Sequence, residues 1–339
     1  MSVRVQEIPL YFNKEIPTPP AQVANQLYKQ ACSNDEVTLQ SWMGKWIAQY
    51  EYNQKHFGPF KERGLGKMHG IYKNKPCVIV GSGPSLKFTA PKLLNRGDIP
   101  VVSCLHNFHY LEDLGVNPEW YVSLDAGDVV IEEVYEGGKQ SPDFYWERTK
   151  ERKLACFVGT SPRLLEKWKG EVYFFNAPIP SDAYQKKVSE LEPFYTYISN
   201  GGNVLGACLY IAKGIFGALP IVFMGADFAF GYDRKFHAWD SKYDANLGNY
   251  ITLTDVFGNQ VLSWQSYANF KAWFEYVAIN VPGIYINCTE GGTFGAYPEG
   301  NISAVKQMVF EKFLAMAKVS ELLENQCKNP EIKDDRVLF

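Results

Sequence analysis

The stretch Pro76-Cys77-Val78-Ile79-Val80-Gly81-Ser82-Gly83-Pro84-Ser85-Leu86 carries an apolar run straight into a turn of two glycines, two serines and a proline. A run this short, with no polar alternation, reads as a strand covered on both faces, as in a parallel sheet. The glycines permit positive φ and close approach of the backbone to a ligand. Pro84 fixes the turn, and Ser85 is placed to cap the short helix behind it. Free N–H groups at that point, with the Ser82 and Ser85 hydroxyls, suit a phosphate. An ordinary βα turn uses the same residues, and the pattern is neither a Walker A loop nor a complete G-x-G-x-x-G.

Outward from this turn the alternation continues. Pro100–Leu105, Trp120–Leu124, Leu154–Val158, Glu171–Phe175, Pro220–Met224 and Ile284–Asn287 read as strands. Pro91–Asn95, Phe108–Leu114, Pro162–Trp168, Gly202–Phe216, Ser263–Val277 and Ser303–Asn325 read as helices or helical turns. The fold class expected is α/β, a Rossmann-like, mostly parallel sheet with helices on both faces, which binds ligands beyond the carboxyl ends of its strands. Residues 1–70 are expected to form a helical appendage, with helix-like text from Ala21 to about His56 and a glycine-rich solvated linker from Gly58 to Gly70. Residues 71–326 form the main domain, with the aromatic, aperiodic segment 228–258 as a lid and 327–339 as a loose tail.

Of the 339 residues, 46% are hydrophobic and 15% aromatic, enough to bury a full core. A formal net charge of −3 gives no general attraction to nucleic acid or to an anionic membrane. The most apolar stretch, Val204–Ala226, is interrupted by Lys213, Gly214, Gly217 and Pro220, so no membrane span of about 20 residues is expected. The seven cysteines form no C-x-x-C pair and read as free thiols in a reducing, cytoplasmic setting.

Candidate site residues gather at the strand ends. Ser199-Asn200-Gly201-Gly202-Asn203 precedes an apolar helix, where Asn200 or Asn203 can cap and the glycines leave room for a ligand; a turn closed for packing reads the same way. Asp125, with Asp128 near it, and Asp227 follow buried strands, where a carboxylate holds Mg²⁺, a ribose hydroxyl or a base amine, or simply caps a helix. His237 in the lid segment is a candidate general base. His106, Asn107 and His109 are placed to frame a nucleotide. Asn287-Cys288-Thr289-Glu290-Gly291-Gly292 brings further donors to the same edge or is a plain turn. No His/Cys cluster has zinc spacing, and no G-x-S-x-G elbow occurs.

In order along the chain, VIVGSGPSL, SLDAGD, ISNGGNVLGACLYIAKGIFGALPIVFMGADFAF and INCTEGGTFGAYPEG resemble the MptE-like family. That family includes archaeal 6-hydroxymethylpterin diphosphokinases and the Maf proteins implicated in flagellin glycosylation. The G-x-G-P-S-L turn and the Gly-x-Asp strand end are also similar to bacterial CMP-sugar sialyltransferases. The resemblance covers roughly residues 75–318. It implies a nucleotide-phosphate turn at Gly81, Gly83, Pro84 and Ser85. It also implies an acid near Mg²⁺ at Asp125 if the chain is a diphosphokinase, and a nucleotide site completed by Gly201, Gly202, Asp227, Thr289, Glu290, Gly291 and Gly292. His237 sits where the sialyltransferases keep a base in their lid. The wording Ala226-Asp227-Phe228 and the long aromatic lid depart from the compact diphosphokinases. The implied function is a nucleotide-dependent transferase with no tightly bound cofactor: a glycosyltransferase using a nucleotide-activated, nonulosonic acid-like sugar and a small-molecule, glycan or protein acceptor. The alternatives are a pyrophosphokinase using ATP with Mg²⁺, and a non-catalytic nucleotide-binding protein.

Overall fold

A computed structural model describes residues 15–16, 26, 29, 35–179, 181–191, 196–240 and 249–318. Among the described residues thirteen strands run in chain order. They are β1 (Glu15–Ile16), β2 (Cys77–Val80), β3 (Val101–Cys104), β4 (Trp120–Ser123), β5 (Lys153–Phe157), β6 (Glu171–Phe175) and β7 (Ile221–Met224), then β8 (Tyr250–Thr254), β9 (Gln260–Trp264), β10 (Tyr285–Asn287), β11 (Ala296–Tyr297), β12 (Gly300–Ile302) and β13 (Lys306–Gln307). Eight of them form one sheet in the order β13-β10-β7-β2-β3-β4-β5-β6, and every pairing in it is parallel. The expected α/β fold is present. The apolar run of β2 explains why. Cys77 and Ile79 pack into one core and Val78 and Val80 into another, so both faces of the strand are covered. The chain steps outward from β2 to β6, then returns to place β7 on the other side of β2. The switch point therefore lies between β2 and β7.

Helices α1 (Asp35–Phe57), α2 (Leu86–Thr89), α3 (Phe108–Asp113), α4 (Val129–Glu133), α5 (Pro142–Arg148), α6 (Pro162–Lys167), α7 (Asp182–Glu190), α8 (Val204–Tyr210) and α9 (Gln265–Asn280) flank the sheets. Among the described residues no helix is long and apolar enough to cross a membrane. The helical reading of the N-terminal region holds over α1, and its remaining part lies outside the described residues apart from positions 26 and 29. The solvated linker does not hold. Phe60 and Leu65 are fully buried, Phe60 lies 4.5 Å from the Phe174 ring, and Gly64 bridges to Phe174 beside β6. The glycines of this segment serve close packing, and α1 is fastened to the domain. The Asn53 amide donates to the Val158 and Thr160 carbonyls at 2.9 Å, and that of Gln49 to the Ala126 carbonyl at 2.9 Å.

Two further expectations change. The lid segment contains β8, which pairs with β9 as an antiparallel hairpin, and its aromatic residues Phe236 and Trp239 are buried. Tyr243 and the rest of 241–248 lie outside the described residues. The terminal helix does not begin at Ser303. β13 intervenes at the edge of the main sheet, and the helix runs over 310–318. The text beyond 318, including the tail, lies outside the described residues. Cys77, Cys104, Cys156, Cys208 and Cys288 are free and buried. Cys32 and Cys327 lie outside the described residues.

A buried charge network stiffens the sheet below the site. The Glu112 carboxylate, fully enclosed, accepts from Arg152 at 2.7 and 3.0 Å, from Arg148 at 3.1 Å and from the Tyr121 hydroxyl at 3.2 Å. Glu112→Gln keeps the shape but turns an amide donor toward guanidinium donors, so it should cost about 2–3 kcal/mol in a denaturant titration.

Candidate active site

The turn after β2 and the strand end after β7 lock together. Gly81 N–H donates to the Met224 carbonyl at 2.9 Å and Gly83 N–H to the Gly225 carbonyl at 3.0 Å, so the ladder runs on past both strands. A Cβ on Gly83 would lie 2.7 Å from the Gly225 oxygen and on top of the Asp227 carboxyl. Neither Gly81 nor Gly83 has a positive φ; Gly225 does, at 64°. Their small size is therefore required by the neighbouring strand end, which is a different reason from the ligand approach expected of them. Ser85 caps nothing with its side chain. Its N–H and hydroxyl donate to the Asp227 carboxyl at 3.2 and 2.7 Å.

The Thr289–Gly292 turn completes this knot. Thr289 Oγ1 accepts from Ala226 N–H at 3.1 Å, Thr293 N–H donates to the Asp227 carbonyl at 2.7 Å, and Gly292, at φ 67°, packs on the Asp227 backbone. Gly291 lies beside Ser85 and Asp227. Glu290 is engaged elsewhere, paired with Lys92 at 2.6 Å and accepting Phe310 N–H at 3.1 Å. Of the residues expected at a nucleotide site, Gly81, Gly83, Ser85, Asp227, Thr289, Gly291 and Gly292 thus build the closed switch point, while Glu290 points away from it.

The recess lies beside it. A cavity of about 600 Å³ opens over the ends of β2 to β6. Ser82, His106, Asp125, the Ser199–Val204 turn, Trp273 and, from α1, Trp42 and Trp46 border it. Gly201 and Gly202 sit at φ 58° and 79°, and a Cβ on Gly201 would overlap the Trp273 ring, so this glycine admits a tryptophan. Asn203 caps α8, its Oδ1 accepting Gly206 N–H at 2.9 Å. Asn107 stands behind the wall, donating to the Val80 carbonyl at 3.1 Å and to Ser103 Oγ at 3.0 Å. Pro84 abuts the 231 turn.

Two carboxyls face the recess. Asp125 lines the recess and keeps an exposed surface, yet partial burial of its carboxyl raises it against the pull of Gly127 N–H and Lys45. Glu133, which no sequence pattern singled out, lines the same wall and is raised to about 8 by burial and then by the charges of Asp125 and Glu136. At neutral pH the pair therefore holds a proton on Glu133. Asp128 is turned away to Ser161, at 2.7 Å, and Arg163. His237 is buried and does not border the cavity. It packs 4.6 Å from His106, which does, and stacks at 5.1 Å on Trp239. Burial lowers His106 to about 3 and His237 to about 4, so both rings are neutral. No group of three or more His, Cys, Asp or Glu suited to a metal occurs among the described residues.

Burial raises Asp227 to about 7 against the two Ser85 hydrogen bonds. The folded chain then holds a proton between about pH 4 and pH 7 that the unfolded chain has released, so this group lowers stability as pH rises through that window. Asp227→Asn keeps an acceptor for Ser85 N–H. It should flatten the decline, leaving the variant more stable than the parent by on the order of 3 kcal/mol at pH 8 and equal at pH 4. Melting curves across this range decide it.

Comparison with curated proteins gives no match. Among solved structures the chain is similar to the Maf glycosyltransferase from Magnetospirillum magneticum AMB-1, with 14% identity and a TM-score of 0.53 over 92% of this chain. It spans about half of that protein, 53% of its length, and the likeness is one of fold. Residues 51–233, more than half of the chain, match the family model described as 6-hydroxymethylpterin diphosphokinase MptE-like, and the chain belongs to the MptE-like family.

Proposed function

We propose that the chain is a nucleotide-dependent glycosyltransferase that holds a nucleotide-activated sugar across the strand ends and passes the glycosyl group to a hydroxyl in the recess. One observation carries the reading: Ser82 and the Gly201–Gly202 turn border the same cavity as a carboxyl pair and a neutral imidazole. Ser82 and the open space left by the two glycines suit phosphates, although Gly202 N–H itself donates to Asn200 Oδ1, and the second set offers a proton acceptor for a hydroxyl. In the transfer, the acceptor oxygen bonds to the anomeric carbon, the bond from that carbon to the phosphate oxygen breaks, and the nucleotide leaves with the electron pair. The acceptor proton passes to Asp125. His237 supports His106 from behind.

A pyrophosphokinase is the second reading, favoured by the family's description and by Asp125 standing with Glu133. Two carboxyls fit the usual protein share of a Mg²⁺–ATP complex. A thermal-shift series of CMP-, UDP- and GDP-sugars against ATP–Mg²⁺ separates the two. A ligand at about 100 times its dissociation constant stabilises by about 2.7 kcal/mol. A rise with a nucleotide sugar supports the proposal. A rise with ATP–Mg²⁺ alone, enlarged by 6-hydroxymethylpterin, replaces it with the second reading. Nucleotide binding without turnover of any donor leaves a binding protein.

A further inference from the structure

We propose that the α1 side of the recess, between Trp42, Trp46 and the edge Ser123–Asp125–Glu133, is the acceptor subsite and takes a saccharide ring. The inference rests on the transferase reading and names the acceptor class for it. Trp42 and Trp46 stand four residues apart on one face of α1, and both border the cavity. The Trp42 ring lies against Gly127, 3.5 Å from where a Cβ would stand, directly after Asp125. Trp46 meets Phe157 edge to face at 6.0 Å, and the Gln49 and Asn53 amides hold the helix in this register. The two indoles are thus fixed before any ligand arrives, which suits stacking on the C–H face of a pyranose.

The opposite edge is polar in a particular way. Ser123 lines the cavity, and its Oγ, buried beneath the wall, has no hydrogen-bond partner among the described residues. A buried hydroxyl left unpaired is costly. Beside it, Asp125 and Glu133 present both a proton acceptor and a proton donor, because burial and mutual repulsion keep one proton on the pair. The charged and titratable groups facing the pair are Lys45 from α1, Glu136 beyond α4, and His106 across the cavity. Sugar hydroxyls donate and accept at once and match such a mixed set. The amide–amine edge of a pterin presents one carbonyl acceptor and two adjacent N–H donors in a fixed planar order.

The test is titration of the full chain with methyl galactopyranoside and methyl glucopyranoside, followed by saturation-transfer NMR and calorimetry, with and without CMP or UDP. Saturable binding is expected. Trp46→Ala and Trp42→Ala should each weaken it about tenfold, while CMP or UDP binding is retained. Trp46→Phe, which keeps an aromatic face, should weaken it less, and melting curves confirm that each variant is folded. The subsite is overturned if no glycoside saturates under either condition, or if both alanine variants bind normally. It is also overturned if 6-hydroxymethylpterin or a serine-containing peptide occupies the α1 side in place of the glycosides. Glycoside binding by a chain that takes up no nucleotide would keep the subsite and sink the transferase reading instead.

Discussion

Gly83→Val should unfold the protein rather than merely empty its site. The new Cβ would coincide with the Asp227 carboxyl and lie 2.7 Å from the Gly225 oxygen, a backbone atom held by the Gly83 N–H at 3.0 Å. Relief requires separating the two strand ends, which breaks that bond and pulls Asp227 from Ser85. Overpacking of a tight core costs about 1–3 kcal/mol and each stranded buried polar group about 1–3 more. The sum, about 4–6 kcal/mol, approaches the whole stability of an ordinary domain. At this chain length a drop in melting temperature of more than about 10 °C is expected. A valine variant that melts like the parent yet binds no nucleotide would return the turn to phosphate binding.

The glycine-rich turn shows where sequence reading stops. Apolar runs such as Val78–Val80 and Ile221–Met224 declare a parallel strand by composition, and the sheet follows from them. What a glycine makes room for depends on what the fold brings opposite it. Gly83 meets Asp227, 144 positions away, and Gly201 meets Trp273. Both partners lie far off in the chain, so a need for small size was legible while its cause was not. Glu133 was invisible for the same reason. It sits in the short helix Val129–Glu133, too brief for a periodic pattern, and gains meaning only beside Asp125. The linker at 58–70 misled because glycine and charge usually mark solvent, whereas Phe60 and Leu65 anchor it. His106 and His237 were both noticed, but only folding puts one ring in the wall and the other behind it.

Asp125→Asn should lower turnover by about 10²–10⁴-fold with nucleotide binding retained, because it removes the carboxylate best placed to take the acceptor proton. His237→Ala should cost about tenfold. Its ring packs on His106, which borders the recess while His237 does not, so the loss is one of positioning. The pH profile separates these roles. Activity should rise as Asp125 ionises and fall again near pH 8 as Glu133 loses its proton and its power to donate. Glu133→Gln carries a permanent donor, so the alkaline limb should disappear while the acid limb stays. If His237→Ala costs as much as Asp125→Asn, the imidazole is the base and the carboxyl pair is a bystander. If chelation abolishes activity and every variant of Glu133 does the same, the two carboxyls hold a metal, and the pyrophosphokinase reading takes the place of the glycosyltransferase.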